Sequence, residues 1–429
     1  MVFFSNTQKM DKFVKSEEEE VRSMVVYIYN SFDDPLFKGI LLPFMEHAAS
    51  KQPDLRFHLI TYEQQDWPLN STQRAEIHQS LSKYNTKWYP LVWHSGKFKI
   101  IKKAYDLLVG FILVLKLRIF GNVSSIGGLG TISGSFAFII AKLLGLKFYG
   151  FWHEPHSEFM RDFNIWPTSG LAYRGLNYME KISGRYADVL TTGTDHMIHR
   201  LRASGSKATI FRLPSCVNEN RFQFTQEGRD RIRKVLPISA DDTPVVLYLG
   251  KFGGIYYDQE IGFLFAELHK LNANLFFLIV SPDPVAHISE VMAVAGVPST
   301  HYSIKRSPYH EVQDYISAAD FGIVAIPALP AQKYRSPIKV GEYLCCGLPY
   351  LVCRGVSEDD VVADDFKVGV TVSDFSESEI RRAYPMIEEF LSEDKFLLRE
   401  RCREAGIHYR GISQYLPVAE KIFAHVPVT

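Results

Sequence analysis

The run Ser336-Pro337-Ile338-Lys339-Val340-Gly341-Glu342-Tyr343-Leu344-Cys345-Cys346-Gly347-Leu348-Pro349 gathers the residue types needed to grip an anionic ligand. Ser336 suits an N-cap, Pro337 the first helical position and Gly347 a left-handed stop. The spacing therefore predicts a short helix between two apolar strands, Phe321–Ile326 and Tyr350–Cys353. In a parallel strand–helix–strand unit the helix N-terminus lies beside the carboxyl end of the preceding strand, where free amides and the helix dipole attract phosphate. Glu342, one turn and a half further on, is expected to face whatever those amides hold. The plainer reading is a crossover helix with Lys339 and Glu342 paired at i,i+3 on a solvated face. Gly341 and two cysteines make a poor helix by propensity, so small side chains point to a close neighbour and favour the ligand site.

Apolar runs alternate with helical patterns on both sides of this segment. The first half reads as strands Met24–Tyr29, Phe57–Thr61, Trp88–Trp93, Lys147–Trp152, Val189–Thr192 and Thr209–Leu213. Between them lie helices Gly39–Lys51, Thr72–Tyr84, Lys102–Phe120, Ser133–Leu144, Gly170–Tyr186 and Asp195–Ala203. This is the rhythm of a doubly wound parallel α/β sheet. A polar transition over Pro214–Asp242 separates it from a second start at Pro244–Leu249. Three helical patterns close the chain, Glu377–Ser392, Lys395–Ala405 and Ser413–His425. At 429 residues the length suits two cores, divided as residues 1–213 and 214–409, with a cleft between them.

The signature run resembles Ser-Pro-x-Lys-x-x-Glu-Tyr-x-x-x-Gly-x-Pro of the nucleotide-sugar-dependent glycosyltransferases of the GT-B fold, of the retaining family 4 type. Val245–Tyr257, with its Gly250-Lys251-Phe252-Gly253-Gly254 loop, is similar to the strand and glycine loop that open the family's donor domain. Tyr315–Ile323, Lys367–Val370, Tyr29–Leu36 and Leu59–Glu63 resemble further family stretches. The resemblance implies two Rossmann-like doubly wound domains facing across a cleft, with a last helix, residues 410–429, crossing back onto the first. It implies a hexosyltransferase-type enzyme moving a sugar from a UDP- or GDP-linked donor to a saccharide or lipid-linked acceptor, in surface polysaccharide or glycan biosynthesis.

Such a transfer needs charge neutralisation on the departing diphosphate, a grip on the nucleoside and room for an acceptor hydroxyl. No Asp-x-Asp pair occurs in the chain, so no metal and no cofactor are expected, and the charge falls to the backbone around Ser336, Pro337 and Ile338 with Lys251 and Lys339. Lys251 has an equal reading as a solvated loop lysine. Gly250, Gly253 and Gly254 supply backbone freedom near the diphosphate, and Tyr302–Ser307 is the candidate for the base. By the resemblance, Glu342 grips the ribose and His153 contacts the transferred sugar; the family's earlier glutamate, eight positions upstream of Glu342, is here Tyr334. Amides around Arg335 and Ser336 are expected to take over its contacts. Asp33 and Asp34 either receive the acceptor or cap the next helix, and Glu154 borders the same cleft.

Two other readings stay open. Gly128-Leu129-Gly130-Thr131-Ile132-Ser133-Gly134, with Glu154 twenty residues on, matches a relaxed dinucleotide fingerprint and suggests an NAD-linked oxidoreductase. Against it, Asn122–Ser125 is polar and a poor buried strand. The replacement of a glutamate by Tyr334 favours a non-catalytic sugar-nucleotide-binding protein.

Forty-eight basic and 48 acidic residues leave no net charge, which argues against a nucleic-acid partner. Five cysteines without metal-ligand spacing read as reduced thiols of a cytoplasmic protein, and Met1–Ser23 as a polar lead-in without an export signal. Residues 97–118 combine the apolar Leu107–Leu115 with flanking lysines and Arg118. This stretch is too short to span a bilayer. It is either a buried helix or a peripheral contact at the inner face of the plasma membrane.

Overall fold

Val25, Val26, Leu59, Ile60 and Ile126 are fully buried, as strands must be when helices cover both faces of a parallel sheet. The computed structural model describes residues 21–64, 69–94, 96–238, 240 and 242–428. The predicted lead-in lies outside the described residues as far as residue 20.

The first domain runs β1 (Arg22–Ile28), a π-helical turn (Phe37–Leu41) continuing into α1 (Leu42–Lys51), β2 (Leu55–Glu63), α2 (Ser71–Ser82), β3 (Thr86–Val92) and α3 (Lys99–Phe120). It continues through β4 (Ser125–Leu129), α4 (Gly130–Leu144), β5 (Lys147–Phe151), α5 (His156–Asp162), α6 (Leu171–Tyr186), β6 (Val189–Thr192), α7 (Asp195–Ala203) and β7 (Thr209–Arg212). These seven strands pair in parallel in the order 3-2-1-4-5-6-7. The winding direction reverses between β1 and β4, so their carboxyl ends leave a crevice there.

The polar transition contains α8 (Gln226–Arg233), capped by Thr225. The second domain then follows with β8 (Val245–Leu249), α9 (Gln259–Leu271), β9 (Phe276–Val280), α10 (Val285–Ala295), β10 (Tyr302–Lys305), α11 (Val312–Ala318) and β11 (Phe321–Val324). It is completed by α12 (Ile338–Cys345), β12 (Tyr350–Cys353), α13 (Asp359–Phe366), β13 (Gly369–Val372), α14 (Glu377–Ser392) and α15 (Lys395–Arg410), after which comes α16 (Ile412–Ala424). Its six strands are parallel in the order 10-9-8-11-12-13, with the switch between β8 and β11.

Strand β4 corrects the sequence reading, which passed over it as too polar. It is buried throughout and lies centrally, between β1 and β5. Its glycines are required by their neighbours: a Cβ on Gly127 would come within 2.5 Å of Phe151 and 2.6 Å of Met24, and one on Gly128 within 2.6 Å of the Gly134 backbone. That crowding removes the apolar alternation by which a strand is recognised.

The second domain returns to the first through α16, which packs on α1; Phe423 meets Phe57 edge to face at 5.1 Å, and His47 bonds Glu420 at 2.7 Å. The two interdomain crossings run side by side, Val217 N–H donating to the Arg410 carbonyl at 2.8 Å and Ile412 N–H to that of Val217 at 2.9 Å. Beside them the Arg410 guanidinium meets the Asp359 carboxylate at 2.6 Å, both fully buried. Breaking one side of such a pair leaves an uncompensated charge in the core. Arg410→Ala is therefore expected to cost about 3–5 kcal/mol in urea unfolding; a loss under about 1 kcal/mol would show that the pair is not what holds the crossing.

Candidate functional site

The carboxyl ends of β1, β4, β5 and β6 face the loops after β8 and β11 across a cleft of about 500 Å³. Asn30 and Asp34 line it from beyond β1, Gly130–Ser133 from the start of α4, and Trp152, His153 and Glu154 from beyond β5. Tyr256, Ile326 and residues 334–339 close the opposite wall.

Helix α12 enters this cleft N-terminus first. Pro337, at φ −63°, occupies the cap position and no side chain caps the helix. Ile338 and Lys339 line the cavity, so the first-turn amides and their dipole are directed at its contents. The Lys339 stem passes over Gly250, where a Cβ would stand 3.2 Å from its Cε, and its ammonium lies 5.1 Å above the Tyr256 ring. Gly347, at φ +76°, ends the helix as expected: its N–H bonds the Leu344 carbonyl and that of Leu348 bonds Tyr343.

Ser336 differs from its expected role as N-cap. Its Oγ accepts from the Ser215 N–H at 3.0 Å and from the Arg410 guanidinium, so it fastens the entrance of α12 to both crossings between the domains. Its other neighbour is Gly193, where a Cβ would fall 2.4 Å from that of Ser336.

His153 is buried on the facing wall. Thr191 holds the turn that presents it, its Oγ1 accepting from Trp152 N–H at 2.9 Å and its carbonyl from His153 N–H at 2.8 Å. Trp152 adopts φ +49°, a left-handed conformation that costs a non-glycine residue about 1–3 kcal/mol and clusters at functional sites. The ring fits against Gly184, whose Cβ would stand 3.0 Å from Nε2. Burial, with Arg200 nearby, pulls its pKa down to about 4, so the imidazole is neutral near pH 7.

The two walls also touch. Arg335 pairs with Glu154 at 3.5 Å and stacks on Phe159 at 4.0 Å, Arg200 lies over Tyr334 at 4.7 Å, and Asp162 accepts from Ala331 N–H at 2.9 Å. Glu358 reaches back to Asp195 N–H at 2.5 Å and Arg212 at 2.8 Å.

No protein-family model matches the chain, and no curated protein does. Solved structures do. Sucrose-phosphate synthase from Thermosynechococcus elongatus superposes with a TM-score of 0.68 at 14% identity, over 94% of this chain and 98% of that one. HepE from Anabaena, in complex with UDP, gives 0.63 at 9% identity over 94% and 98%. A putative UDP-N-acetylglucosamine 2-epimerase from Listeria monocytogenes gives 0.58 at 12% identity over 94% and 95%. The fold is GT-B.

Within this GT-B frame the remaining candidates separate. Glu342 does not line the cleft: it is 3% exposed, in the second turn of α12, with Lys339, Tyr309 and Arg221 as its polar neighbours. Burial raises its pKa, opposed by Lys339, a hydrogen bond with Tyr309 and Arg221. Arg221 lies over the Tyr309 ring at 4.2 Å. Lys251 is exposed on its loop and outside the cavity lining. Gly253 and Gly254 adopt φ +71° and +65°, the left-handed turn that carries the chain to Tyr256. Asp33 is exposed and paired with Lys38 at 2.6 Å. Asp34 borders the cleft, but its carboxylate accepts from Leu36 and Phe37 N–H, both at 2.9 Å, which is the capping alternative. Tyr302–Lys305, the expected base platform, is β10 itself.

Gly193, Ser215 and Arg410 escaped sequence reasoning. Only Gly193 carried a signal, a lone glycine at a strand end where another backbone approaches. Gly130 to Ser133, read as half of a dinucleotide fingerprint, does form a glycine turn at the β1/β4 switch, with Gly130 at φ +68°. Glu154, the acid of that fingerprint, is engaged by Arg335 instead.

The depressed pKa of His153 predicts that its ring stays neutral as pH falls from 8 to about 5. Since unfolding then takes up a proton, His153 lowers stability as pH drops from 6.5 toward 4. Ring-nitrogen chemical shifts across a pH titration check this; a midpoint near 6.5 refutes the desolvation account.

Proposed function

We propose that the protein is a glycosyltransferase using a nucleoside-diphosphate sugar, UDP- or GDP-linked. The observation that carries the reading is the meeting, in one cleft at the switch points of both sheets, of the uncapped N-terminus of α12, Lys339 and a neutral His153. The diphosphate lies on the α12 amides, with Lys339 neutralising charge that grows as the glycosidic bond to it breaks. A neutral imidazole at His153 hydrogen-bonds a hydroxyl of the transferred sugar. The acceptor enters past Asn30 and Asp34. HepE, which holds UDP in the same fold, supports a nucleotide in this cleft.

The ribose reaches Glu342 by displacing the Tyr309 hydroxyl, since Tyr309 is itself exposed, on a short turn after β10. Neither lining carboxylate is placed as a nucleophile: Asp34 caps a turn and Glu154 pairs with Arg335. Among retaining routes this favours same-face transfer, in which the bond to the diphosphate breaks and the departing diphosphate takes the acceptor's proton, over a double displacement on a carboxylate. The charge is assigned to protein dipoles and Lys339, in keeping with a sequence that lacks an Asp-x-Asp pair. Five buried, unbridged cysteines suit a reducing compartment, and we assign the activity to the cytoplasm.

The test is a panel of UDP-, GDP- and ADP-sugars, followed for nucleotide release with and without saccharide acceptors. One donor is expected to turn over, Lys339→Ala to slow it by about 10²–10³-fold, and Glu342→Gln to raise the donor KM. Sugar isomerisation in place of transfer favours the epimerase chemistry named for the Listeria protein. Thermal stabilisation by NAD and by no sugar nucleotide returns the oxidoreductase reading.

A further inference from the structure

Helix α3 is apolar on two opposite sides. One side, Asp106, Gly110, Val114 and Leu117, is buried against the first sheet; a Cβ on Gly110 would fall 2.5 Å from both the Tyr27 and Tyr62 hydroxyls. The other side carries Ile101, Tyr105, Leu108, Ile112, Leu115 and Ile119, spaced alternately by four and three residues along one stripe. Most of it is uncovered among the described residues: Ile101 is 68% exposed and Ile112 56%, while Tyr105 meets the His94 ring edge to face at 5.2 Å. Phe98 and Phe120 extend the stripe at its two ends, 75% and 80% exposed. Phe98 does so at φ +61°, a conformation unfavourable to an aromatic residue. An apolar strip of this length on a protein surface marks an interaction site.

The charges around the stripe decide its partner. Lys97, Lys116 and Arg118 are exposed and form no ion pair among the described residues, whereas Lys103, three residues before Asp106 and seven before Gly110, lies on the side turned to the sheet. The acid of this helix, Asp106, is buried and engaged by Tyr29 at 2.7 Å and His94 at 2.5 Å. On a chain with no net charge, the exposed charges of this helix are thus all positive. The stripe's spacing would also suit pairing with a second copy, but any two-fold pairing of α3 brings lysines and Arg118 against one another with no acid between them.

We propose that α3 docks the protein on an anionic lipid surface, its stripe at the headgroup–acyl boundary and its basic residues among the headgroups. No helix among the described residues is long and apolar enough to cross a membrane, so the contact is peripheral. The docked helix adjoins the cleft, because Asp106 holds Tyr29, which lines it. If the transferase reading holds, that position suits an acceptor carried on a lipid; the docking itself does not depend on that reading.

Sedimentation of the full chain with phosphatidylcholine vesicles, with and without about 30% phosphatidylglycerol, tests the proposal without any activity assay. Binding is expected to require the anionic lipid and to weaken at about 0.5 M salt. Leu108→Asp with Ile112→Asp is expected to lower the bound fraction about tenfold. Lys97→Gln with Lys116→Gln should weaken the preference for anionic lipid while leaving the melting curve in place, since Leu108, Ile112, Lys97 and Lys116 are all exposed. Absence of binding, equal binding to neutral vesicles, or variants that bind as the parent does would overturn it. So would a dimer in sedimentation velocity that Ile112→Asp dissociates, which would identify a second copy as the occupant.

Discussion

Everything at the cleft depends on one tether. The Ser336 hydroxyl receives a backbone N–H from one interdomain crossing and the Arg410 guanidinium from the other, and Arg410 is held by Asp359 in the core. The residue just before the cap of α12 is thereby fixed to both crossings between the domains. The signature serine therefore acts on the cleft through position, and the amides beyond it supply the dipole.

The walls are closed upon one another by Glu154–Arg335, Asp162–Ala331 and the contacts of Glu358. In this arrangement Glu342 is buried, with Lys339, Tyr309 and Arg221 as its polar neighbours. A desolvated carboxylate is costly to keep ionised, so a ligand offering hydroxyl donors in place of Tyr309 would relieve the penalty that burial imposes. His153 shows the complementary use of burial, which keeps an imidazole neutral and able to accept or donate a hydrogen bond without competing for the anion.

Much of the architecture was legible in the residues. The alternation of apolar runs and helical patterns located most strands and helices to within a few residues, and Gly347 ended α12 where its type demanded. Strand β4 was not legible, because Phe151, Met24 and the Gly134 backbone crowd it so closely that glycine replaces the apolar side chains by which a strand is recognised. In the site, Lys339 and His153 reached the cleft, since each directly follows or opens an element whose end lies at the sheet edge. Lys251, Asp33 and Glu342 did not, although their positions along the chain looked equivalent.

Local sequence determined what depends on neighbours along the chain: the left-handed turns at Gly253 and Gly347 and the amphipathic period of α3. Tertiary structure alone decided which side of α3 is covered, that Ser336 bonds to Arg410, and that Glu342 is enclosed. Each of these depends on groups dozens to hundreds of residues away, brought together by sheet order and by the return of α16, and no spacing within a short window records that meeting.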